Sequence, residues 1–282
     1  MTNPVPVAIS PTRALATKVP EITALFWVIK VLSTGMGETF SDFLVSSLPA
    51  ELAVGGAGVA LIAALVVQFR SRRYVAWIYW TAVVMVSIFG TMVADVVDFK
   101  LGIPLPVTTI AFLVLLGAIF AIWHACEKTL SVHSINTRRR EAFYWATVMI
   151  TFALGTAAGD LTAGKMHLGY LPSTVLFAVV IAIPAIAHRW AGLGAIPAFW
   201  ASYVVTRPLG ASATDWLAAD RSDGLRLGTG WVSLAVTIPM VALIAVAALR
   251  PGLSTTAELA TPDALAEEDI RAIDRLGETG TE

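Results

Sequence analysis

The stretch from Phe26 to Asp42, FWVIKVLSTGMGETFSD, decides the fold because its pattern returns three more times along the chain. An aromatic residue precedes Trp27, Gly37 follows that tryptophan after ten residues, and Asp42 follows it after fifteen. The same spacing occurs in three further copies: Tyr79-Trp80, Gly90 and Asp95; Tyr144-Trp145, Gly155 and Asp160; and Phe199-Trp200, Gly210 and Asp215. Recurrence at fixed offsets indicates an internal structural repeat.

The composition indicates a membrane protein. Of the 282 residues, 57% are hydrophobic and only 14% are charged, whereas a soluble domain draws about 25% of its residues from Asp, Glu, Lys and Arg. The mean hydropathy of +0.75 agrees. A net charge of −1 offers no basic surface for nucleic acid. Because Cys126 is the single cysteine, it can form neither an intramolecular disulfide nor a thiolate metal cage. We expect the lipid bilayer as a partner and no nucleic acid.

Eight apolar segments are long enough, or nearly so, to cross a bilayer, which takes about 20 residues of α-helix. They are predicted at 22–44, 51–69, 75–97, 105–126, 142–163, 170–188, 195–217 and 227–249. A closed barrel is excluded because the apolar runs are long and do not alternate with a period of two. The sequence therefore predicts an all-α integral membrane protein.

Each repeat joins one helix that carries the W-x9-G-x4-D pattern to one plainer apolar helix. The predicted repeats cover about 22–73, 74–140, 141–190 and 195–250. Because two helices return the chain to the same side, the repeats are expected to run parallel around a pseudo-fourfold or pseudo-twofold axis along the membrane normal. Polarity places the patterned odd helices inside and the even helices against lipid.

Charge predicts the orientation in the membrane. Basic residues cluster after the even helices, at Arg70, Arg72 and Arg73, at Lys128 and Arg138 to Arg140, at Arg189 and at Arg250. The positive-inside rule places these loops and both termini in the cytoplasm of a plasma (inner) membrane. Residues 1–21 and the acidic residues 251–282 are predicted as cytoplasmic tails around a membrane domain at 22–250, with a short amphipathic segment at 263–276.

A polar stripe follows one face of the first patterned helix, where Lys30, Thr34, Glu38 and Asp42 are four residues apart. The equivalent positions of the later repeats are Val83, Ser87, Thr91 and Asp95; Val148, Phe152, Thr156 and Asp160; and Tyr203, Arg207, Ala211 and Asp215. Ionised side chains in hydrocarbon are costly and normally face the bundle interior or water. We therefore expect the four aspartates to converge on a shared axis or cavity.

The stripe has more acids than bases, which favours binding of a cation. Its oxygen donors, with no histidine or cysteine among them, suit Mn²⁺, Mg²⁺, Ca²⁺ or protons. The predicted metal ligands or proton acceptors are Glu38, Asp42, Asp95, Asp160 and Asp215, and the predicted ion-pair or gating residues are Lys30, Arg207 and Asp98.

Other interpretations fit the same residues. The aspartates could be solvated separately among lipid headgroups. Alternatively, the stripe could be a purely structural ion-pair network in which Lys30 pairs with Glu38 or Asp42, and Arg207 pairs with an acid of another repeat. Trp27, Trp80, Trp145 and Trp200 are expected to anchor the helices at the membrane interface. Gly37, Gly90, Gly155 and Gly210 are expected to allow close helix packing or to mark unwound turns.

The segment 26–42, together with Gly155-Thr-Ala-Ala-Gly-Asp160-Leu-Thr and Arg207-Pro-Leu-Gly-Ala-Ser-Ala-Thr-Asp215, resembles a bacterial family of uncharacterised multi-pass membrane-anchored proteins. The resemblance runs through residues 22–250 and implies a bacterial inner-membrane protein. Gly159-Asp160-Leu161-Thr162 is also similar to the E-x-G-D-[KR]-[TS] motif of cation exchangers that handle Mn²⁺ or Ca²⁺, although Ala157 and Leu161 depart from that motif.

These features predict a secondary transporter of a divalent cation, with Mn²⁺ favoured and proton exchange as a means of coupling. Two alternatives are a transporter or channel for another small solute with ion-pair gates, and a non-transporting membrane scaffold or sensor that signals through its acidic tail. No hydrolase, P-loop or dinucleotide motif is present, so we expect neither an enzyme nor a cofactor. The sequence is compatible with a homo-oligomer.

Overall fold

A computed structural model describes residues 17–219 and 224–249, and the regular elements of this part of the chain are helices. The eight long helices are α1 (Ala24–Ser47), α2 (Ala50–Arg70), α3 (Ala76–Asp95), α4 (Leu105–Glu127), α5 (Arg138–Asp160), α6 (Tyr170–Trp190), α7 (Ala195–Ala218) and α8 (Thr229–Leu249). Each corresponds to one of the segments predicted from the sequence, with ends that differ by a few residues. The predicted amphipathic segment at 263–276 lies outside the described residues.

Two of the odd helices end in a distinctive way. A π-helical turn, Val96–Lys100, continues α3 directly after Asp95, and a second one, Leu161–Lys165, continues α5 after Asp160. Such turns widen the helix and are frequent at functional sites. In the second and third repeats the aspartate therefore stands at the junction between an α-helix and a π-helical turn.

The odd helices form the inner layer of the fold. Helices α1, α3, α5 and α7 make a closed ring in which each packs against two others, and α7 closes the ring against α1. Each even helix lies outside and packs mainly against the odd helix that follows it in the ring: α2 on α3, α4 on α5, α6 on α7, and α8 on α1. The last helix of the chain thus completes the packing of the first.

Helices α2, α3, α4, α5, α6 and α8, six in the described part of the chain, are long and apolar enough to cross a membrane. The four outer helices among them expose large apolar side chains such as Val59, Leu113, Val179 and Ile238. An apolar exterior around a polar interior is the arrangement that lipid selects. These helices favour a protein embedded in a membrane.

One contact recurs four times around the ring. Each repeat glycine lies within a continuous α-helix, and a Cβ atom added there would collide with a side chain on the next odd helix. The colliding residue stands seven positions after the tryptophan of its own repeat, so the contacts are Gly37 with Ser87, Gly90 with Phe152, Gly155 with Arg207, and Gly210 with Thr34. The four glycines thus lie at close contacts between neighbouring odd helices, within α-helix and not in unwound turns.

A second recurring contact lies near the amino-terminal ends of the odd helices. The aromatic residue of each pair packs against the tryptophan of the next odd helix, with ring centroids 5.8 Å apart for Phe26–Trp80, 5.7 Å for Tyr79–Trp145, 6.1 Å for Tyr144–Trp200 and 5.7 Å for Phe199–Trp27. Trp80, Trp145 and Trp200 are buried and Trp27 is partly buried. These three rings fill the space between helices, and the expected interfacial anchoring remains a prediction.

The end of the predicted amino-terminal tail is part of the packed body. Lys18 is buried, and its Nζ donates to Glu141 Oε2 on α5 at 2.5 Å. Gln68 at the end of α2 donates to the other oxygen of Glu141 at 3.0 Å. The backbone of Thr17 accepts from Tyr74 N at 3.1 Å. Isolated charges at Lys18 and Glu141 gave no sequence signal for this contact, since their separation of 123 residues follows no local pattern.

The glycine contact predicts a contrast between two substitutions. Gly90→Ala places a methyl group 2.7 Å from Phe152 Cβ, and such overpacking costs roughly 1–3 kcal/mol. We expect its melting temperature in detergent to fall clearly. Gly117→Ala on the outer helix α4, where nothing lies within 4 Å, is the matched control and should melt at or slightly above the wild-type temperature. Equal melting temperatures for the two variants would contradict the packing role.

Candidate functional site

A cavity of about 420 Å³ lies toward the carboxyl-terminal ends of the odd helices. Its lining includes all five predicted acidic residues, namely Glu38, Asp42, Asp95, Asp160 and Asp215. The four aspartates are partly exposed, whereas Glu38 is buried deeper in the ring. The structure therefore brings the acids together on one cavity, and separate solvation of each aspartate does not describe it.

Arg207 binds Glu38, the most deeply buried of the acids that line this cavity. Its side chain has no exposed surface, although it comes from the middle of α7. The guanidinium donates to Glu38 Oε2, to the Thr34 carbonyl at 2.6 Å, to Thr91 Oγ1 and to Thr156 Oγ1 at 2.8 Å. The acceptors belong to α1, α3 and α5, so one side chain connects all four helices of the ring.

Glu38 is the acidic centre of this cluster. Its Oε2 atom accepts from Arg207, from Thr91 Oγ1 at 3.0 Å and from Thr156 Oγ1 at 3.4 Å. Glu38, Thr91 and Thr156 occupy the same position in their repeats, eleven residues after the tryptophan. The fourth repeat has the small Ala211 there, and Arg207 on the same helix supplies the polar group to this layer.

The ion pair between Arg207 and Glu38 is buried on both sides. Two charges removed from water need each other, because loss of either partner leaves an uncompensated charge in a medium of low dielectric constant. The predicted pairing of Arg207 with an acid of another repeat is thus present in the structure. It separates the acidic cavity from the inner part of the ring.

Lys30 lies on the other side of this pair and contacts aromatic rings. Its Nζ lies 3.9 Å from the centroid of the Phe152 ring and 4.3 Å from that of Tyr203. No ion pair involves Lys30 within residues 17–219 and 224–249. The expected pairing of Lys30 with Glu38 or Asp42 is therefore wrong, because the rings of α5 and α7 hold the ammonium by cation–π contacts instead.

Asp98 occupies the π-helical turn after α3 and does not line the acidic cavity. Its side chain is buried, and neither carboxylate oxygen has a hydrogen-bond partner among the described residues. The gating role of Asp98 remains a prediction.

The acids share the cavity without forming a compact cage. No group of three His, Cys, Asp or Glu side chains in the described part of the chain is arranged to hold a metal ion directly. The distribution of the carboxylates suits a cation that keeps part of its hydration shell, as Mg²⁺ and similar small ions commonly do. Direct coordination of one bare ion by all five predicted ligands is not what this geometry offers.

The sequence pattern identified the acids and Arg207 but missed two other parts of the site. Phe152 and Tyr203 stand at stripe positions where their rings had no assigned role, and they enclose Lys30. The Thr34 carbonyl also binds Arg207, through a backbone atom that carries no sequence signature. The spacing of the stripe positions could have placed both rings near Lys30. Only the packed structure shows that the rings contact the ammonium where an acidic partner was considered.

Comparison with known families agrees with the internal repeat. A family described as "Repeat of Unknown Function (DUF347)" matches residues 25–74, 78–129, 143–192 and 198–251. The chain belongs to this family. Each DUF347 match contains one odd helix and the even helix that follows it, so the four repeats predicted from the sequence are confirmed. No curated protein and no solved structure is significantly similar to the chain, and the resemblance to cation exchangers remains a prediction.

Removal of the acidic partner of Arg207 should weaken the whole ring. Glu38→Gln keeps the shape of the side chain but leaves the guanidinium without an anion, and breaking a buried ion pair costs about 3–5 kcal/mol. We expect a large fall in the melting temperature in detergent. Glu51→Gln, which removes an exposed ion pair with Lys100, should leave the melting temperature unchanged.

The double variant Glu38→Gln/Arg207→Met provides the test of this cause. It should regain part of the stability lost in Glu38→Gln, because no buried charge then remains unpaired. If the losses of stability measured for Glu38→Gln and for Arg207→Met simply add up in the double variant, the two side chains are not coupled.

Proposed function

We propose that this DUF347 protein is a secondary transporter of a hard divalent cation, with Mn²⁺ as the first candidate. The observation that carries the proposal is the single cavity lined by Glu38 and by one aspartate from each repeat. Excess carboxylates in a site partly withdrawn from water attract cations strongly, because their negative potential is poorly screened.

The proposed orientation follows from charge. All eight helices would cross the bilayer of a bacterial inner membrane as four parallel repeats around a common axis, with both termini in the cytoplasm. The basic loops after α2 and α4 then face the cytoplasm, and the carboxyl-terminal ends of the odd helices face the opposite side. The acidic cavity accordingly opens away from the cytoplasm.

A transport step follows from the position of Arg207. In the described state its guanidinium occupies the oxygen atoms of Glu38, Thr91 and Thr156 at the inner end of the cavity. A hydrated cation held by the aspartates would compete with the guanidinium for Glu38. Displacement of Arg207 from Glu38 breaks the hydrogen bonds by which this side chain joins the four odd helices. The cation can then move inward between these helices.

The chemistry of the donors favours a hard cation over a soft one. The side-chain donors of the cavity and its inner end are carboxylate and hydroxyl oxygens, which suit Mg²⁺, Ca²⁺ and Mn²⁺, whereas Cu⁺ requires sulfur ligands. The four aspartates on different helices can bind the ion through its water molecules.

Transport in proteoliposomes tests the proposal. Asp160→Asn removes one charge from the cavity and should lower Mn²⁺ affinity for uptake by about tenfold, the equivalent of roughly 1.4 kcal/mol. Glu21→Gln is the control, because Glu21 is exposed before the start of α1 and does not line the cavity, and it should transport like the wild type. Unchanged uptake by Asp160→Asn, or an equal loss in both variants, would count against a cation site in the cavity.

A small organic cation is the second candidate, because the guanidinium of Arg207 already binds oxygen acceptors that include Glu38 of the cavity lining. The same vesicles separate the two candidates. Guanidinium ions that enter with wild-type protein while Mn²⁺ does not would select the organic cation, and the reverse would select the metal. The scaffold or sensor interpretation depends on the acidic tail at 251–282, which lies outside the described residues. Truncation after Arg250 should leave transport intact.

A further inference from the structure

Lys30 is the one buried basic side chain that the proposed transport step leaves unused within the ring. It is 1% exposed, lies on the cytoplasmic side of the Arg207–Glu38 pair in the proposed orientation, and does not line the acidic cavity. Its ammonium contacts the Phe152 and Tyr203 rings. A charged group in such a place is costly and commonly has a functional role.

The repeats themselves show that the fold does not require a lysine here. The equivalent positions in the second and third repeats are Val83 and Val148, both fully buried, and the fourth repeat has Tyr203. Apolar side chains fill the same place in the ring without the cost of a buried charge. The lysine of the first repeat therefore has a purpose beyond packing.

Hydroxyl groups extend from the neighbourhood of Lys30 toward the cytoplasmic end of the ring. Tyr203 on α7 faces the ammonium with its ring, and its hydroxyl has no hydrogen-bond partner among the described residues. The Tyr144 hydroxyl on α5 lies 2.5 Å from that of Tyr79 on α3. Three buried tyrosines from three odd helices thus stand on this side of the ring.

The other groups around Lys30 restrict the possible proton carriers. Helix α8, which packs against α1, has no ionisable side chain between Thr229 and Leu249. Arg207 on α7 is also near, but a guanidinium stays protonated in proteins. On α1 itself the next ionisable group is Glu38, which is bound to Arg207. The remaining acids of the odd helices lie elsewhere, with Asp42, Asp95, Asp160 and Asp215 in the cavity and Glu141 bound to Lys18.

We propose that Lys30 is the proton carrier of the transport cycle: it takes up one proton from the cavity side and releases it to the cytoplasmic side, past Tyr203, Tyr144 and Tyr79, when a cation passes. This inference rests on the proposed cation transport and names the residue that couples it to protons. In the release step one N–H bond of the ammonium breaks, the nitrogen keeps the electron pair, and the proton passes to water on the cytoplasmic side. The interior loses one positive charge as the divalent cation brings two, and no electron is transferred.

The experiment separates coupling from cation movement in the same proteoliposomes. Exchange of labelled for unlabelled Mn²⁺ without a pH gradient measures cation passage alone, and a pH-sensitive dye inside the vesicles measures proton flow during net transport. For Lys30→Met we expect exchange close to the wild-type rate and a loss of Mn²⁺-dependent proton flow of about a hundredfold, the scale of a positioned proton-transfer group. Lys128→Met, the same change at an exposed lysine, should behave like the wild type in both assays.

Lys30→Arg is the second variant and keeps the charge of the buried site. It should also retain exchange and lose proton flow, because a guanidinium holds its proton. Proton flow that persists in either Lys30 variant overturns the inference. Loss of exchange together with proton flow in Lys30→Arg also overturns it, because Lys30 would then belong to the cation path. Absence of Mn²⁺ exchange in the wild type instead overturns the proposed Mn²⁺ transport itself.

Discussion

The close contact between each repeat glycine and the next odd helix is the constraint on which the rest of the structure depends. Gly37, Gly90, Gly155 and Gly210 have no Cβ atom. The side chain that stands seven residues after the repeat tryptophan of the neighbouring odd helix can therefore enter the space between the two helices. The same relation is repeated four times, and the aromatic pairs repeat it again near the amino-terminal ends. Equivalent contacts between successive odd helices arrange α1, α3, α5 and α7 in a closed ring. In this ring the same face of every odd helix points inward.

The functional chemistry follows from how the four repeats differ at equivalent inward positions. The contact position holds Thr34, Ser87, Phe152 and Arg207, so at this position only the fourth repeat has a cationic side chain. The next inward layer holds Glu38, Thr91, Thr156 and Ala211, and the first three of these residues receive the guanidinium. The aspartates, one in every repeat, then form the common acidic surface beyond that layer. The four repeats thus keep the same helix packing but differ in their inward side chains. The result is an asymmetric site, with the acidic cavity on one side of the Arg207–Glu38 pair and Lys30 on the other.

Much of this arrangement could be predicted from the sequence because the repeat is both regular and polar. Fixed offsets from Trp27 gave the helices, their order and the inward stripe, and the cost of buried charge predicted that the aspartates share a cavity. The partners of individual charges could not be predicted in the same way. Lys30 had two plausible acids on its own helix, yet the rings of Phe152 and Tyr203 hold it, since side chains from other helices reach it first. The packing of the tryptophans between helices could not be predicted, because an aromatic residue at a helix end can pack against lipid headgroups or against a neighbouring helix, and periodicity does not distinguish the two. Lys18 was missed because a contact across the chain leaves no local pattern.

The central claim is that the acids of four repeats act as one site for a cation. Calorimetric titration of the purified full chain with Mn²⁺ tests it most directly, with Asp42→Asn, Asp95→Asn, Asp160→Asn and Asp215→Asn measured beside the wild type. The account predicts one bound ion per chain and a weaker affinity in every variant, because each carboxylate contributes to the same potential. Absence of binding to the wild type, or an affinity that changes in only one of the four variants, would contradict it.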